Sequence, residues 1–346
     1  MAAPQKNSDR GAAVLVLLAA VTAVLFCLTM TLGRYRIPLN TFLKVFFAPV
    51  LNIEQDWTQN VQNVVWRIRL PRVCGAIMVG SALSMSGAAY QSIFRNPLVS
   101  SDLLGVSAGA CVGASLAIIL DAPLRTIQLS SLCAGLGAVL TAVWISRLLH
   151  SRSNLILVLA GVIVSGFFRS VQGLLLYLAD PDTQLGTITY WTLGSLAKIS
   201  LPQVPQMGIP MLFCAVLLLS VRWRLNLLSL GENEARSLGV SVRLVRGLTV
   251  FCATGLTACA ICMAGTVGWI SLVIPHFSRL LVGVDNRRVI PASALLGASF
   301  LMAVDTLARS LTRSEIPLSV LTGFIGAPLY VWLLLRHSSN PEGKNL

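Results

Sequence analysis

Charged residues are scarce in this chain of 346 residues, because Asp, Glu, Lys and Arg together make up only 11% of it. Soluble domains carry about 25% charged residues, so this content excludes an ordinary soluble globular protein. Hydrophobic residues make up 55%, and the mean hydropathy is +0.78. They form long continuous runs, which are typical of membrane-spanning helices rather than of alternating barrel strands. The sequence therefore predicts an all-α polytopic membrane protein.

Residues suited to catalysis or metal binding are also few. The three histidines are scattered, and the sequence holds no HExxH motif, no Walker motif and no glycine-rich loop between a strand and a helix. The eight cysteines lie inside apolar runs, without a CxxC pair supported by histidine, so we interpret them as small core residues. We therefore expect no catalytic residue, no metal site and no cofactor on this chain, which is not predicted to be an enzyme.

Ten apolar runs come close to the roughly 20 residues that a helix needs to cross a bilayer. They cover residues 11–32, 73–94, 103–120, 126–146, 155–179, 204–221, 247–264, 269–284, 289–308 and 318–335. Gly265 and Gly268 indicate a break between the seventh and eighth runs. The segment 33–72 is mixed and too polar to cross. We expect about ten transmembrane helices.

The net charge of +13 comes from basic residues that lie mainly in the connections between apolar runs. This distribution follows membrane topology, so we expect no nucleic-acid partner. Ten spans put both termini on the same side of the membrane. The segments on that side hold 14 Lys and Arg residues, and the segments on the opposite side hold 10. The positive-inside rule then places both termini in the cytoplasm. Segment 33–72 still holds six bases and two acids on the opposite side, which suggests an acidic partner there.

A polar segment at residues 230–240 interrupts the apolar pattern. Glu232 and Glu234 stand where the first turn of a helix favours negative charge. Glu232 and Arg236 have the i, i+4 spacing of a helical ion pair. Gly239 stands where a left-handed C-terminal cap is expected. The pattern predicts a helix of about two turns outside the bilayer.

We expect Ala235 and Leu238 to share one face of this helix and to form a small apolar patch rimmed by charge. Two interpretations stay open on the segment alone. It is either a solvent-exposed loop helix or a docking site, through which a soluble partner moves the neighbouring spans.

Three groups of motifs follow one another in a fixed order. The first group contains Arg69-Leu-Pro-Arg72, Gln91, Asn96-Pro-Leu98 and Leu103-Leu-Gly-Val-Ser-Ala-Gly109. The second group is the polar segment 230–240. The third group runs from Gly268-Trp-Ile-Ser through Arg279, Asp305, Arg309 and Glu315 to Gly326-Ala-Pro. Over residues 64–336 they resemble the FecCD type of permease, a subunit of ABC importers for iron-siderophores, haem and vitamin B12. Val99-Ser-Ser101 and Asp285-Asn-Arg287 depart from the motifs usual in that family.

The resemblance implies one transmembrane permease domain over residues 1–346, with a fold like that of the vitamin B12 importer permease. It also implies a second permease subunit, which we expect to form a homodimer, and two cytoplasmic ATPase subunits that bind ATP and Mg. A periplasmic or lipid-anchored substrate-binding protein and the lipid of the bacterial inner membrane complete the expected partners. The segment near 230–240 would be the coupling helix that binds the ATPase, through Leu230, Gly231, Glu232, Glu234, Ala235, Arg236, Leu238 and Gly239.

Three arginines match family positions that face the periplasm near the dock of the binding protein: Arg69, Arg72 and Arg309. The predicted topology independently puts them on that side. A guanidinium group suits bidentate capture of a carboxylate from a docking lobe. The alternatives are headgroup contact, snorkelling, or an internal pair such as Arg309 with Asp305 at i, i+4.

The loop Asn96, Pro97 and Leu98 matches one that narrows the cytoplasmic mouth in relatives. Pro97 would stiffen the turn, and Leu98 could meet its counterpart across a dimer axis. The alternative is an ordinary turn between the second and third spans.

Arg169 lies within the fifth run, where a charge costs about 2.5–3.5 kcal/mol on insertion scales and should face protein or water. Ser165, Arg169 and Gln172 follow at i, i+4 and i+7, which places them on one polar stripe. In relatives the fifth span lines the pathway, so the hypothesis is that this stripe helps an anionic chelate to pass. A buried structural pair or snorkelling is the alternative.

We expect a permease for an iron chelate, haem or a corrinoid. An oxyanion such as molybdate or tungstate is the alternative cargo. An ATPase-independent secondary transporter is a weaker alternative, since it should show inverted repeats and paired intramembrane acids. Asp305 is the only acid clearly within a predicted span.

Overall fold

The computed structural model describes residues 3–51, 53–149 and 154–338, and every regular element within these ranges is a helix. We number the helices along the chain: α1 Ala3–Thr31, α2 Leu39–Leu51, α3 Gln59–Phe94, α4 Val106–Ile119, α5 Leu124–Leu148, α6 Asn154–Leu178, α7 Leu185–Leu193, α8 Gln203–Leu230, α9 Glu232–Ser237, α10 Val242–Ala264, α11 Ile270–Val282, α12 Asn286–Ser310 and α13 Leu318–Ser338. The all-α fold predicted from the sequence is confirmed for these residues.

The predicted spans coincide with helices. Seven of the described helices, α1, α3, α5, α6, α8, α10 and α12, are long and apolar enough to cross a membrane. The other three predicted runs lie in α4, α11 and α13, whose apolar stretches are shorter. A helix of 14 residues such as α4 rises only about 21 Å at 1.5 Å per residue, which is less than the bilayer core. A crossing at α4 or α11, as the sequence predicts, would bring the irregular segments that flank these helices to membrane depth, where surrounding protein would have to shield them from lipid.

Glycines allow the central helix α3 to pack closely against α11 and α12. A Cβ atom on Gly80 would lie 2.2 Å from the carbonyl oxygen of Gly297 in α12. A Cβ on Gly87 would lie 1.9 Å from the carbonyl oxygen of Ser271 in α11. Only glycine fits at such distances, and small residues are the usual means of close helix packing in lipid.

The predicted break after the seventh span is present between α10 and α11. Gly265 adopts a φ of +69°, and a Cβ there would lie 2.1 Å from the carbonyl oxygen of Trp191. The carbonyl of Ala264 at the end of α10 accepts a hydrogen bond from the backbone N–H of Ser195, at 2.8 Å. The chain thus turns against the end of α7 before α11 begins.

The polar segment 33–72 is more helical than its composition suggests. It contains α2 and the start of α3, which begins at Gln59 rather than at residue 73, with a π-helical turn at Val64–Arg69. The ring of Phe46 in α2 stacks on Trp66 in α3, with centroids 5.8 Å apart. The helix of the second span therefore begins earlier than residue 73, and it accommodates Arg69 and Arg72 because both have partners elsewhere in the chain.

Candidate functional site

The polar segment between α8 and α10 forms the short helix α9, as predicted, but with narrower bounds. Leu230 is the last residue of α8, and Gly231 follows at φ +152°. L side chains rarely adopt this φ, so glycine is favoured where the chain turns into α9. Gly239 has a φ of +76°, which confirms the left-handed position after the helix.

Ion pairs join α9 to the start of α10. Glu232 lies 3.6 Å from Arg236 within α9, as its spacing predicts, and it also pairs with Arg246 of α10. The hydrogen bond from Arg246 holds the pKa of the Glu232 carboxyl below its usual range. A movement of α9 would therefore be transmitted to α10.

The expected shared face of Ala235 and Leu238 is wrong. Ala235 is fully buried, whereas 59% of Leu238 is exposed. Leu238 is the C-cap of the helix and still donates its N–H to Glu234, so the two side chains differ in burial because Ala235 packs against the protein while Leu238 points into solvent. The exposed apolar side chains beside α9 are Leu230 and Leu238, and the exposed charged ones are Glu234 and Arg236.

The predicted gate residues Asn96, Pro97 and Leu98 form an exposed turn after α3. The side-chain oxygen of Asn96 accepts a hydrogen bond from the backbone N–H of Leu98, at 2.9 Å. Arg95 has a left-handed φ of 49° and its Nε donates to the carbonyl oxygen of Leu228, at 3.1 Å. Leu228 is close to the end of α8, so this turn is tied to the helix that leads into α9. Whether the turn closes a pathway stays a prediction.

Gln91 supports the same turn from inside the protein. Its amide nitrogen donates to the carbonyl of Val99 at 3.2 Å and to the carbonyls of Ser271 and Leu272 in α11. Its amide oxygen accepts from Nη1 of Arg279, at 2.5 Å. The sequence showed Gln91 and Arg279 only as parts of motifs. Their contact joins residues 188 apart, so no local pattern could have revealed it.

Arg169 of α6 is exposed and lines a cavity of about 520 Å³ between α4, α6 and the segment that joins α10 to α11. Polar groups from Asp102 and Thr266 also line it. Within the described part of the chain, no carboxylate lies within 4 Å of the Arg169 guanidinium. A buried structural ion pair, one of the alternatives, is therefore not what the side chain makes in this structure.

The predicted polar stripe is divided between two environments. Gln172 lines the same cavity as Arg169, and its side-chain nitrogen donates to the hydroxyl of Ser115 on α4, at 2.8 Å. Ser165 instead faces Gly105, where a Cβ would lie 2.9 Å from the Ser165 hydroxyl oxygen. The helix α4 packs against this face of α6, so the end of the stripe at Ser165 is covered.

Arg72, a predicted docking residue, is buried in the N-terminal half of α3, away from the end of α3 that contacts α8 near α9. Its Nε donates to both carboxylate oxygens of Asp305 at 2.8 and 2.9 Å, and its Nη1 donates to Glu315 at 2.7 Å. These bonds tie α3 to α12 and to the segment before α13. The sequence did not predict them, since Arg72 and Asp305 are 233 residues apart.

Arg69 and Arg309 lie in the same region and also have partners within the chain. Arg69 is buried and donates to the backbone carbonyls of Met30 and Tyr35. Arg309 lies 3.9 Å from Asp305, which is the internal pair considered as an alternative, and it donates to a backbone carbonyl of α1. We call Arg69, Arg72, Asp305, Arg309 and Glu315 the distal charge cluster. Docking by its three arginines stays a prediction, and it would require these bonds to be replaced.

Comparisons with known proteins agree with this architecture. The FecCD transport family matches residues 21–336. The molybdate import system permease protein MolB of Haemophilus influenzae is 39% identical over 93% of this chain and 94% of its own length. The hemin transport system permease protein HmuU of Yersinia pestis is 36% identical over 85% of this chain and 90% of its own length.

A solved structure has the same fold as this chain. It shows an inward-facing conformation of a metal-chelate type ABC transporter, with a TM-score of 0.83 and 36% sequence identity, and the match covers 93% of this chain and 99% of that one. The vitamin B12 import system permease protein BtuC of Yersinia pseudotuberculosis is 38% identical over 82% of this chain and 85% of its own length. The family match, the relatives and the shared fold together show that this chain is an ABC transporter permease and belongs to the FecCD transport family.

Proposed function

We propose that this chain is the membrane subunit of a binding-protein-dependent importer in the bacterial inner membrane, with both termini in the cytoplasm. It works as a dimer of permeases, bound to two cytoplasmic ATPase subunits that hold ATP and Mg, and it receives its cargo from a periplasmic or lipid-anchored binding protein. The family match over residues 21–336 is the observation that carries this proposal. It favours the importer over the ATPase-independent secondary transporter.

The coupling role of α9 is supported by what the helix exposes. Leu230 and Leu238 offer apolar anchors, and Glu234 and Arg236 surround them with charge. Protein interfaces commonly have such an apolar centre with a polar rim. We infer that the ATPase binds this surface and that its nucleotide cycle moves α9 as a rigid body.

Two contacts would carry that movement to the pathway. The pair of Glu232 with Arg246 connects α9 to α10. The hydrogen bond from Arg95 to Leu228 connects the end of α8 to the turn at Asn96–Leu98. The turn is thus positioned to respond when α9 moves, which supports its proposed role as the cytoplasmic gate.

The proposed cargo is a compact oxyanion of the molybdate class. Arg169 supports this choice, because an arginine at membrane depth should face water and attract anions, and Asp102 in the same cavity offsets only part of its charge. The molybdate permease of Haemophilus influenzae supports it as well, since the similarity extends over almost the full length of both chains. A guanidinium group can also bind two oxygens of one oxyanion at the same time.

A metal chelate is the second candidate cargo. The named cargoes of the haemin and vitamin B12 permeases and of the metal-chelate type structure favour it. Negatively charged chelates would also be attracted by Arg169, so the two candidates differ in size rather than in charge.

Uptake into proteoliposomes that contain the permease, its ATPase and its binding protein would separate these cargoes. We expect labelled molybdate to accumulate with ATP and excess unlabelled tungstate to compete, whereas ferric chelates should not. Arg169→Gln should slow uptake roughly tenfold, which corresponds to about 1.4 kcal/mol in the barrier. Arg169→Lys should restore part of it, and Arg125→Gln, at an exposed site outside the cavity, should leave it unchanged. Accumulation of a ferric chelate instead of molybdate would select the second candidate, and wild-type uptake by Arg169→Gln would remove the role of Arg169.

A further inference from the structure

A second, larger cavity lies on the outside of the helix bundle. It measures about 860 Å³ and runs between α5, α8 and α10. Its walls are almost entirely apolar, with Leu136 and Leu140 from α5, Phe213 from α8, and Val250 and Phe251 from α10. All three helices are among those long enough to cross a membrane. We call this cavity the lateral groove.

The end of the lateral groove next to α9 has a different chemistry. Arg147, Arg236, Arg243 and Arg246 line it, together with a single acid, Glu232. Glu232 already pairs with Arg236 and Arg246. Arg147 and Arg243 are exposed, and among the described residues no carboxylate lies within 4 Å of either guanidinium. Two exposed arginines without a carboxylate partner among the described side chains therefore stand at one end of an apolar channel.

We propose that the lateral groove binds an anionic phospholipid, whose acyl chain lies along the apolar walls and whose phosphate is held between Arg147 and Arg243. Basic pockets at the ends of transmembrane helices attract acidic headgroups. Arginine binds phosphate oxygens in a bidentate manner that a single amine does not reproduce. Anionic charge at one end and hydrocarbon over the rest is the chemistry of a phospholipid.

Other occupants fit the lateral groove less well. An extended peptide would bring backbone N–H and C=O groups against walls that offer them no partners, and each unpaired group costs several kcal/mol in lipid. A second copy of this chain in a two-fold symmetric contact would bring its own Arg147 and Arg243 to the same place. Like charges brought together across an interface oppose association.

The position of the site connects it to the coupling helix. Arg246 lines the lateral groove and pairs with Glu232 of α9, and Arg236 of α9 lines it too. A bound lipid phosphate would add a further anion beside this pair and hold α9 against α10. The proposal does not depend on which cargo the permease carries, or on which ATPase binds it.

Native mass spectrometry of the full-length permease, released from detergent with added lipid, tests the headgroup site. We expect phosphatidylglycerol to be retained more strongly than phosphatidylethanolamine. Each basic residue near a membrane surface contributes about one kcal/mol, so Arg147→Gln with Arg243→Gln should weaken phosphatidylglycerol binding by roughly 30-fold. The control, Arg222→Gln with Arg287→Gln, removes two arginines outside the lateral groove and should bind like the wild type.

A second pair of variants tests the apolar channel. Gly247 lines the lateral groove and has open space where a Cβ would be placed, so Gly247→Phe should place its ring in the channel. Gly137 of α5 also has open space but is not part of the lining, so Gly137→Phe is a matched control. We expect lipid retention to fall for Gly247→Phe and to persist for Gly137→Phe, with equal thermal stability of the two proteins.

Equal retention of both lipids by the wild type would overturn the proposal. So would unchanged phosphatidylglycerol binding in the double arginine variant or in Gly247→Phe. The same spectra report the number of permease chains. If filling the lateral groove abolished the dimer and left lipid binding intact, a second copy would be its occupant and the lipid proposal would be wrong.

Discussion

Arginine–carboxylate contacts occur at both ends of the helix bundle, but their surroundings differ. In the distal charge cluster, only 8% of the Arg72 side chain and 3% of the Asp305 side chain are exposed. In α9, 57% of Arg236 and 36% of Glu232 are exposed. The same chemistry is therefore enclosed by protein at one end and open to solvent at the other.

This difference assigns different tasks to the two ends. Removing one partner of a buried pair leaves an uncompensated charge and costs about 3–5 kcal/mol. An exposed pair contributes about 0–1 kcal/mol, so its geometry can change at little cost. The distal charge cluster therefore joins α1, α3 and α12, whereas the surface at α9 remains free to bind a partner and to move.

The largest expected effect, on the free energy of unfolding, follows from removing the buried carboxylate of the distal charge cluster. Asp305→Ala should lower the free energy of unfolding by about 3–5 kcal/mol, because Arg72 loses the buried carboxylate that its Nε binds and Arg309 loses its neighbouring acid. Thermal unfolding of the permease in detergent measures the loss. Asp56→Ala, which breaks the exposed pair with Lys44, is the control and should cost less than about 1 kcal/mol. Equal losses would show that burial does not distinguish the two pairs.

The next effect should appear at the exposed end and leave the fold intact. Leu238→Asp removes an exposed apolar anchor, and we expect binding of the partner ATPase to weaken roughly tenfold, a loss of about 1.4 kcal/mol that exceeds the cost at most interface positions. Co-purification with the ATPase at graded concentrations measures it. Leu311→Asp, at an equally exposed leucine after α12, should bind the ATPase normally. A loss of thermal stability in Leu238→Asp would mean that this residue supports the fold instead.

A smaller effect, on the association rate of the binding protein, should distinguish the buried arginines of the distal charge cluster from the exposed arginines near it. Arg67 and Arg313 are exposed there, whereas Arg72 is enclosed. Arg67→Gln with Arg313→Gln should slow association of the binding protein a few-fold and reduce its dependence on salt, because rim charges act mainly on the association rate. Surface-based kinetics at several salt concentrations would measure this. If the association rate were unchanged in the Arg67→Gln, Arg313→Gln variant but lower in a folded Arg72→Gln protein, the distal charge cluster would be the docking site.

The most local effect concerns the turn at Asn96–Leu98. Gln91→Ala removes the side-chain contacts to Val99 and Arg279, and we expect a stability loss of about 1–3 kcal/mol, typical of a buried hydrogen bond. Gln91→Glu should restore the contact with Arg279. Hydrogen exchange of the segment that follows α3 should rise in the alanine variant, and an unchanged exchange rate would show that Gln91 does not position the turn.

The sequence predicts helices and local contacts well in this protein. Apolar runs locate the spans because the bilayer imposes their length, and the i, i+4 pair of Glu232 with Arg236 is present as its spacing predicts. The pair of Arg309 with Asp305 was likewise visible as a local spacing. These contacts depend only on helical geometry.

Contacts between distant segments could not be predicted in the same way. Nothing near Arg72 in the sequence indicates Asp305 and Glu315 as its partners, so its position near a span end suggested exposure. Ser165, Arg169 and Gln172 share one stripe by spacing, but α4 covers part of it. The shared patch of Ala235 and Leu238 was mispredicted for the same reason, since the packing that buries Ala235 and leaves Leu238 exposed comes from the surrounding helices.

The most direct measurement is ATP-dependent uptake into proteoliposomes that contain the binding protein, the ATPase and either the wild-type permease or Leu238→Asp. We expect accumulation only with ATP and the ATPase present, and a strong loss in the variant while the permease remains folded. Accumulation by the permease without an ATPase, or full uptake by Leu238→Asp with its ATPase unbound, would contradict the proposal that a soluble motor acts through α9.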